Sequence, residues 1–393
     1  MKKIQPTILK EMCNFLPQRM MRWNAVMEII RKTFEQFGYS PYDLTVPLAR
    51  FIATNYQKLS FPFKCYQIQR VWRTEKQQKG SLREFYQCNV DIIGSKSLIC
   101  EAEMAKIIVS VFEKLGLPNI IIKVNSRSLM NVILKSFGVN QNESPTVIRL
   151  INKITKIGKK EVISKLKTMG IKNAESIVST LIPEKTNRKT LEKISKYRPD
   201  ELKEFLSYCN DLGIPEKNLQ IDPTVTRGIN YYTGLIFEVV TKEDDFGFIC
   251  AGGRYDNLCS LFSNKNFSGV GISFKFEQIM FLLEQLKIVN VRSFPSQVLV
   301  TIFDKNTIKE ALQIYRKLIE ANIATEIYFE PDKLSKQFRF ADKKGIPFVV
   351  IQGPKERERQ EITIKQLKNG KQKTIPINQI VSYFSNYYEA ENN

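Results

Sequence analysis

The chain is 393 residues long, 43% apolar, carries a formal charge of +20 and contains no histidine. That length admits two or three domains with cores of their own, and no apolar run approaches the ~18 residues of a membrane span. Without histidine, Ser-His-Asp and Cys-His catalysis and His-bearing zinc sites are excluded; chemistry must rest on positioning, Arg or Lys charge, carboxylates or hard metal ions.

The charge points to an acidic partner, nucleic acid first, although an anionic membrane or a lysine-biased composition would suit the same excess. Seven cysteines without C-x-x-C spacing read as reduced thiols, several of them buried, in a cytosolic-type compartment. The basic first residues lack the apolar stretch and cleavage site of a secretory leader. Cytoplasmic residence is therefore expected, with an organelle left open.

In chain order, Pro17 precedes a stretch in which Trp23, Val26, Ile30, Phe34 and Phe37 recur at steps of three and four. This predicts a helix closed by Gly38, its apolar face laid on a sheet or a second subunit. Asp43-Leu44-Thr45-Val46-Pro47 follows, then a short helix over 48–56. The next stretch organises the chain: segments 65–73 and 83–93 flank a Lys, Gln, Gly and Ser linker and predict two antiparallel strands joined by a long loop. If one face of that pair is a pocket, Arg73, Glu75, Arg83, Glu84, Gln87 and Asp91 form a row of donors and acceptors for a phosphate, a purine and a small polar molecule. An ordinary solvated sheet face would show a similar pattern.

A helix is predicted over 101–115 with Met104, Ile107, Val111 and Leu115 on one stripe, then a strand over 119–125 and a helix over 128–137. Residues 142–208 are rich in Lys and Ile, with helical periodicity and no catalytic constellation. Two further stretches carry chemistry-bearing residues: 219–240, with Asp222, Arg227, Tyr231 and Tyr232, and 251–256, with Gly252, Gly253 and Arg254. Arg254 reads as structural or substrate-proximal. From Ser296 the rhythm becomes strand, helix, strand, helix, strand over 298–303, 307–321, 325–329, 332–344 and 347–351. Two strands over 361–367 and 371–377 then flank an Asn369-Gly370 turn. This predicts a separate small α/β domain, of a kind that serves RNA binding or a flavodoxin-like module.

The run Arg73-x-Glu75, then Arg83-Glu84-Phe85-Tyr86-Gln87-Cys88, resembles the second motif of class II aminoacyl-tRNA synthetases in its histidyl-tRNA synthetase form. The pattern Asp222-Pro223, Arg227-Gly228, Tyr231-Tyr232-Thr233-Gly234 resembles that family's histidine-recognition motif, and Lys336 to Asp342 its anticodon-binding domain. The resemblance implies an α+β fold: a class II antiparallel sheet flanked by helices, plus a C-terminal α/β anticodon-binding domain. It implies catalytic core over 1–140 and 216–292, a helical insertion over 141–215 that leans on the tRNA acceptor end, and an anticodon-binding domain over 296–393.

The implied activity is ATP-dependent activation of histidine and its transfer to tRNA(His) by a homodimer, with ATP and Mg2+ and without a membrane. The resemblance places Arg73 and Arg227 at the α-phosphate as catalytic groups. It places Asp43, Thr45, Gln87, Asp91, Tyr231 and Tyr232 on the histidine, and Arg73, Glu75, Arg83, Glu84 and Gln278 on ATP. It implies no protein ligand for a metal. Two departures stand out. The strand-rich segment that the family carries after Phe37-Gly38-Tyr39 is missing, and Lys275 and Gln278 replace the third motif's glycine and phosphate-gripping arginine. These changes keep open a catalytically inactive tRNA- or histidine-binding regulator, or an RNA-binding accessory protein.

Overall fold

The computed structural model describes residues 15–72, 83–226, 232–242, 247–257, 262, 265, 267–288 and 295–392. The chain divides into two compact units, one mainly from Val26 to Val289 and the other mainly from Asn290 to Asn393.

The first unit is built on eight strands: β1 (Ser40–Pro41), β2 (Phe63–Trp72), β3 (Glu84–Ile93), β4 (Ile120–Ser126), β5 (Leu219–Ile221), β6 (Leu235–Thr241), β7 (Phe248–Tyr255) and β8 (Gly269–Lys275). Their order in the sheet is β1-β2-β3-β8-β7-β6-β4-β5. Pairings from β2 through to β4 are antiparallel, whereas the edge pairs β1 with β2 and β4 with β5 are parallel. The two strands read from the central stretch are β2 and β3, in register from Phe63 opposite Ile93 to Trp72 opposite Glu84.

Side chains alternate between the two faces of a strand, and here the faces differ in chemistry. Cys88, Val90 and Ile92 of β3 stand opposite Phe274, Ile272 and Val270 of β8. This apolar face is covered by helices. Phe274 meets Phe34 of helix Pro17–Gln36 and Phe112 of helix Ile99–Lys114, with ring centroids 5.7 and 5.8 Å apart. Further along, Phe205 of helix Asp200–Asp211 meets Phe237 of β6 at 5.7 Å. Burying each such ring contributes about 1.5–3 kcal/mol, so the apolar stripes dictate which side of the sheet the helices take. Gln87, Asn89 and Asp91 are thereby left on the other face.

The shortened segment after Tyr39 keeps a place on the sheet. Ser40 and Pro41 pair with Cys65 and Tyr66, and Tyr42 donates its N–H to the Tyr66 carbonyl at 2.7 Å. The helix expected over 48–56 begins sooner, at Thr45, and runs to Asn55. Ser126 ends β4 and caps helix Arg127–Ser136 by accepting from the Leu129 N–H at 3.2 Å. The Lys- and Ile-rich stretch is helical, with helices Ser144–Ile151, Ile154–Ile157, Lys159–Thr168, Ala174–Leu181, Asn187–Lys193 and Asp200–Asp211. Its isoleucines and leucines face inward, among them Ile148, Ile151, Leu166, Ile177 and Leu181. The free cysteines of the described residues, Cys65, Cys88, Cys100, Cys209 and Cys250, are all buried.

The second unit has a five-stranded sheet: β9 (Val298–Val300), β10 (Thr325–Ile327), β11 (Phe348–Ile351), β12 (Glu361–Gln366) and β13 (Gln372–Pro376), in the order β10-β9-β11-β12-β13. The pairings among the first three are parallel and those of the last two antiparallel, so the sheet of the expected α/β domain is mixed. Val298 and Val300 join one apolar cluster with Ile314, Leu318 and Phe384, while Leu299 joins another with Ala341 and Ile346. Both faces of the sheet are thus covered. Gly370, at φ +71°, makes the tight turn between β12 and β13, and the Asn369 side chain accepts from the Lys371 N–H at 3.0 Å.

Candidate active site

On the polar face of the first sheet the registers lay out rows of side chains. One row is Gln69, Gln87 and Lys275; the next is Gln67, Asn89, Ser273 and Ala251; the third is Cys65, Asp91, Gly271 and Gly253. A cleft of about 280 Å³ opens over them, lined by Thr45, Gln87, Asn89, Asp91, Tyr232 and Ser273 among others. Four residues expected on the histidine therefore converge, although they come from a helix start, a strand and a loop.

Asp91 forms the floor. It is 8% exposed and accepts from the Tyr255 hydroxyl at 2.7 Å. Burial pushes its carboxyl up to about 6, an effect partly offset by that hydrogen bond. The cleft reaches Asp91 because Gly271 has no side chain: a Cβ there would stand 2.0 Å from Asp91 Oδ1. Gly253 lets β6 approach closely, since a Cβ there would stand 2.5 Å from the Leu235 carbonyl oxygen as well as 3.0 Å from the Tyr232 ring. Thr45 reaches the cleft from the first turn of helix Thr45–Asn55, whose Leu48, Ala49 and Ile52 pack with Cys65, Ile93 and Tyr255.

Asp43 lies outside the cleft lining and is exposed; its Oδ1 accepts from the Leu44 N–H at 2.7 Å and from Gln69 Nε2 at 3.3 Å. Glu84 departs from the expected row. Strand parity puts it on the face opposite Gln87, where it pairs with Arg70 at 3.1 Å. Arg83 is exposed just ahead of β3. Gln278 is half-buried in the first turn of helix Phe276–Gln285, and the Lys275 ammonium lies over the Phe248 ring, 3.3 Å from its centroid. Arg73, Glu75, Arg227 and Tyr231 lie outside the described residues.

Arg254 proves to be structural. Its five N–H donors go to both carboxylate oxygens of Glu101, the carbonyls of Ser95 and Ser97, and Ser268 Oγ, which leaves none for a ligand. It is 6% exposed and Glu101 is fully buried. Glu277, 3% exposed, accepts the Tyr86 N–H at 2.6 Å where β8 has ended, and burial pushes its carboxyl up to about 7. Asn89 was not singled out from the sequence, and Ser273, Ala251 and Tyr255 were given no role in the site there. Period-two alternation between Gln87 and Asp91 would have found Asn89; the other three depend on cross-strand register. Among the described residues no group of three or more potential metal-ligating side chains gathers, and no helix is long and apolar enough to cross a membrane.

The histidyl-tRNA synthetase family model matches residues 32–279, and the anticodon binding domain model matches residues 297–387. The chain belongs to the histidyl-tRNA synthetase family. It is 31% identical to the histidine--tRNA ligase of Clostridium tetani over 436 aligned positions, covering 98% of this chain and 99% of that protein. It is 38% identical to that of Flavobacterium johnsoniae, covering 85% and 73%. Among solved structures, histidyl-tRNA synthetase from Nostoc superposes with a TM-score of 0.88 at 27% identity, over 98% of this chain and 100% of that one. The apo S. aureus histidyl-tRNA synthetase shares the fold, with a TM-score of 0.70 at 18% identity and coverage of 97% and 100%. This membership makes the chain a class II aminoacyl-tRNA synthetase by family, with a mixed, largely antiparallel sheet flanked by helices and a separate α/β domain of the anticodon-binding kind.

Proposed function

We propose that this protein is a histidine--tRNA ligase: it joins histidine to ATP's α-phosphate, then passes the histidyl group to tRNA(His). The observation that carries this reading is the convergence of Thr45, Gln87, Asp91 and Tyr232 on one cleft with a buried carboxylate at its floor. A histidine carboxylate oxygen attacks the α-phosphorus, the bond to the bridging oxygen breaks and pyrophosphate leaves. A terminal ribose hydroxyl of the tRNA then attacks the adenylate carbonyl and AMP leaves.

In this reaction Asp43 and Thr45 hold the ammonium group, and Gln87, Asp91, Tyr231 and Tyr232 fix the rest of the amino acid. Arg73 and Arg227 stabilise charge that builds at the α-phosphate. Glu75 receives the adenine, Arg83 orders the loop that follows β2, and Glu84 acts through its Arg70 pair at the base of that loop. Gln278 stands at the phosphate end. Mg2+ would arrive with the phosphates and neutralise their charge. The whole acts as a cytoplasmic homodimer, with residues 296–393 holding the tRNA anticodon.

The test is histidine-dependent exchange of labelled pyrophosphate into ATP, with Gln278→Arg alongside. Exchange by the unaltered chain is the expected result. A well-folded chain that shows none at saturating ATP and magnesium would sink the ligase reading. One feature favours a second reading, a histidine- or tRNA-binding regulator: a neutral amide at Gln278 cannot supply the charged fork of an arginine. Histidine binding without exchange, restored by Gln278→Arg, would establish it.

A further inference from the structure

We propose that Gln67 is a positioning residue of the amino-acid cleft, one that acts through Asn89 by an exchange of amide partners when substrate enters. The inference rests on the reading of this cleft as the amino-acid site. Gln67 lies in the middle of β2, on the site face, directly opposite Asn89. It is 3% exposed, and among the described residues neither its Nε2 nor its Oε1 meets a partner. Burying an amide without a hydrogen bond costs roughly 1–3 kcal/mol. A fully buried, doubly unpaired glutamine beside a ligand cleft therefore calls for a state in which it is satisfied.

The neighbouring amides supply that state. Gln87 Nε2 donates to Asn89 Oδ1 at 3.4 Å, near the outer limit of a hydrogen bond. Gln87 and Asn89 both line the cleft, and Gln67 stands behind Asn89 in the same row. When a polar group of the substrate takes the Gln87 donor, Asn89 Oδ1 loses the side-chain donor it has among the described residues. Residues directly opposed on antiparallel strands have Cβ atoms about 4.5–5.5 Å apart, which brings the Gln67 amide within reach of the Asn89 amide. Gln67 Nε2 then donates to Asn89 Oδ1, and Asn89 Nδ2 is set for the substrate or for Gln67 Oε1. The count of satisfied amide groups rises on binding, so the rearrangement favours the occupied site. Gln67 differs in this from Arg254, whose donors are all engaged without substrate.

The experiment uses the full chain and pyrophosphate exchange as a function of histidine concentration. Gln67→Leu, Asn89→Ala and the double variant are compared with the parent, and melting temperatures are taken with and without histidine. Gln67→Leu is expected to raise the KM for histidine roughly tenfold, the worth of one hydrogen bond, with kcat within about twofold. Its melting temperature without histidine holds or rises, because a buried unpaired amide has gone. The double variant is expected to have the KM of Asn89→Ala alone.

An unchanged KM in Gln67→Leu, or single-variant effects that multiply in the double, would overturn the proposal. Should Gln67→Leu not fold, Gln67→Met keeps the side-chain length, and its histidine-induced melting shift decides in the same sense: a smaller shift than the parent's supports the proposal and an equal one overturns it. A parent chain with neither histidine-dependent exchange nor a histidine-induced shift would instead overturn the underlying reading of the cleft, and this inference with it.

Discussion

Gly271→Ala places a single methyl group at the floor of the cleft. The added Cβ would stand 2.0 Å from Asp91 Oδ1 and 2.8 Å from Asp91 Cγ, whereas ordinary contacts begin at 3.4 Å. Asp91 has little room to retreat: it is 8% exposed, and the Tyr255 hydroxyl holds the same Oδ1 at 2.7 Å. The carboxylate must therefore give up that hydrogen bond and its aim into the cleft. A hydrogen bond to a charged group is worth about 1.5–3 kcal/mol, which translates to a rise in histidine KM of roughly ten- to hundredfold. Histidine titrations in the pyrophosphate exchange assay, with ATP saturating, measure it directly. The backbone of Gly271 is not in the left-handed region, so the substitution acts through this contact rather than through strain. A KM within twofold of the parent's would refute the placement of Asp91 as the substrate-facing floor.

Other consequences concern stability. Glu277 has its carboxyl raised from 4.5 to about 7, so the folded chain holds a proton that the unfolded chain releases in that window. Folding stability from this group is retained at low pH and lost as pH rises to 7, by about 3 kcal/mol. Denaturation of the parent and Glu277→Gln at pH 5 and pH 8 should show that difference opening at the higher pH; an equal difference at both would contradict it. Asp91, raised from 3.8 to about 6, predicts a similar but slightly smaller gain for Asp91→Asn, complete by pH 7, read by the same comparison. Arg254→Met strands the buried Glu101 carboxylate, and the first unit should lose about 3–5 kcal/mol. Adding Glu101→Leu should recover part of it, measured as the melting midpoint of each variant.

Much of the fold was legible because apolar periodicity is a local signal. Ile107, Val111 and their neighbours marked the helix on the sheet, and Asn369-Gly370 marked the final turn. The cleft was legible where the family resemblance carried it, as at Gln87, Asp91 and Tyr232; the alternation of β3 alone fitted a solvated face equally well. It was less so where chemistry depends on which strands lie side by side. Ser273 and Ala251 enter the site only because β8 is inserted between β3 and β7, a pairing that no local pattern encodes. Glu84 was misplaced for the opposite reason: the row read along β3 ignored that odd and even positions part company. Arg254 could not be settled in advance either, since its partners Ser95, Glu101 and Ser268 are remote in sequence.

The pairing of β3 with β8 joins strands that lie on opposite sides of the whole run of helices from Ser144 to Asp211. Contacts so distant along the chain form late and slowly, and during synthesis β3 emerges long before β8. Until then the β2–β3 hairpin offers an open strand edge, the kind of surface that recruits stray chains. Gln87, Asn89 and Asp91 run along one face of that edge strand, and a charged group facing inward is one of the devices that discourages wrong partners there. The one charge among these three cleft residues, Asp91, thus stands where it would discourage stray pairing of the nascent edge, and a variant that replaces Asp91 with an apolar residue should aggregate during expression even where its folded form is stable.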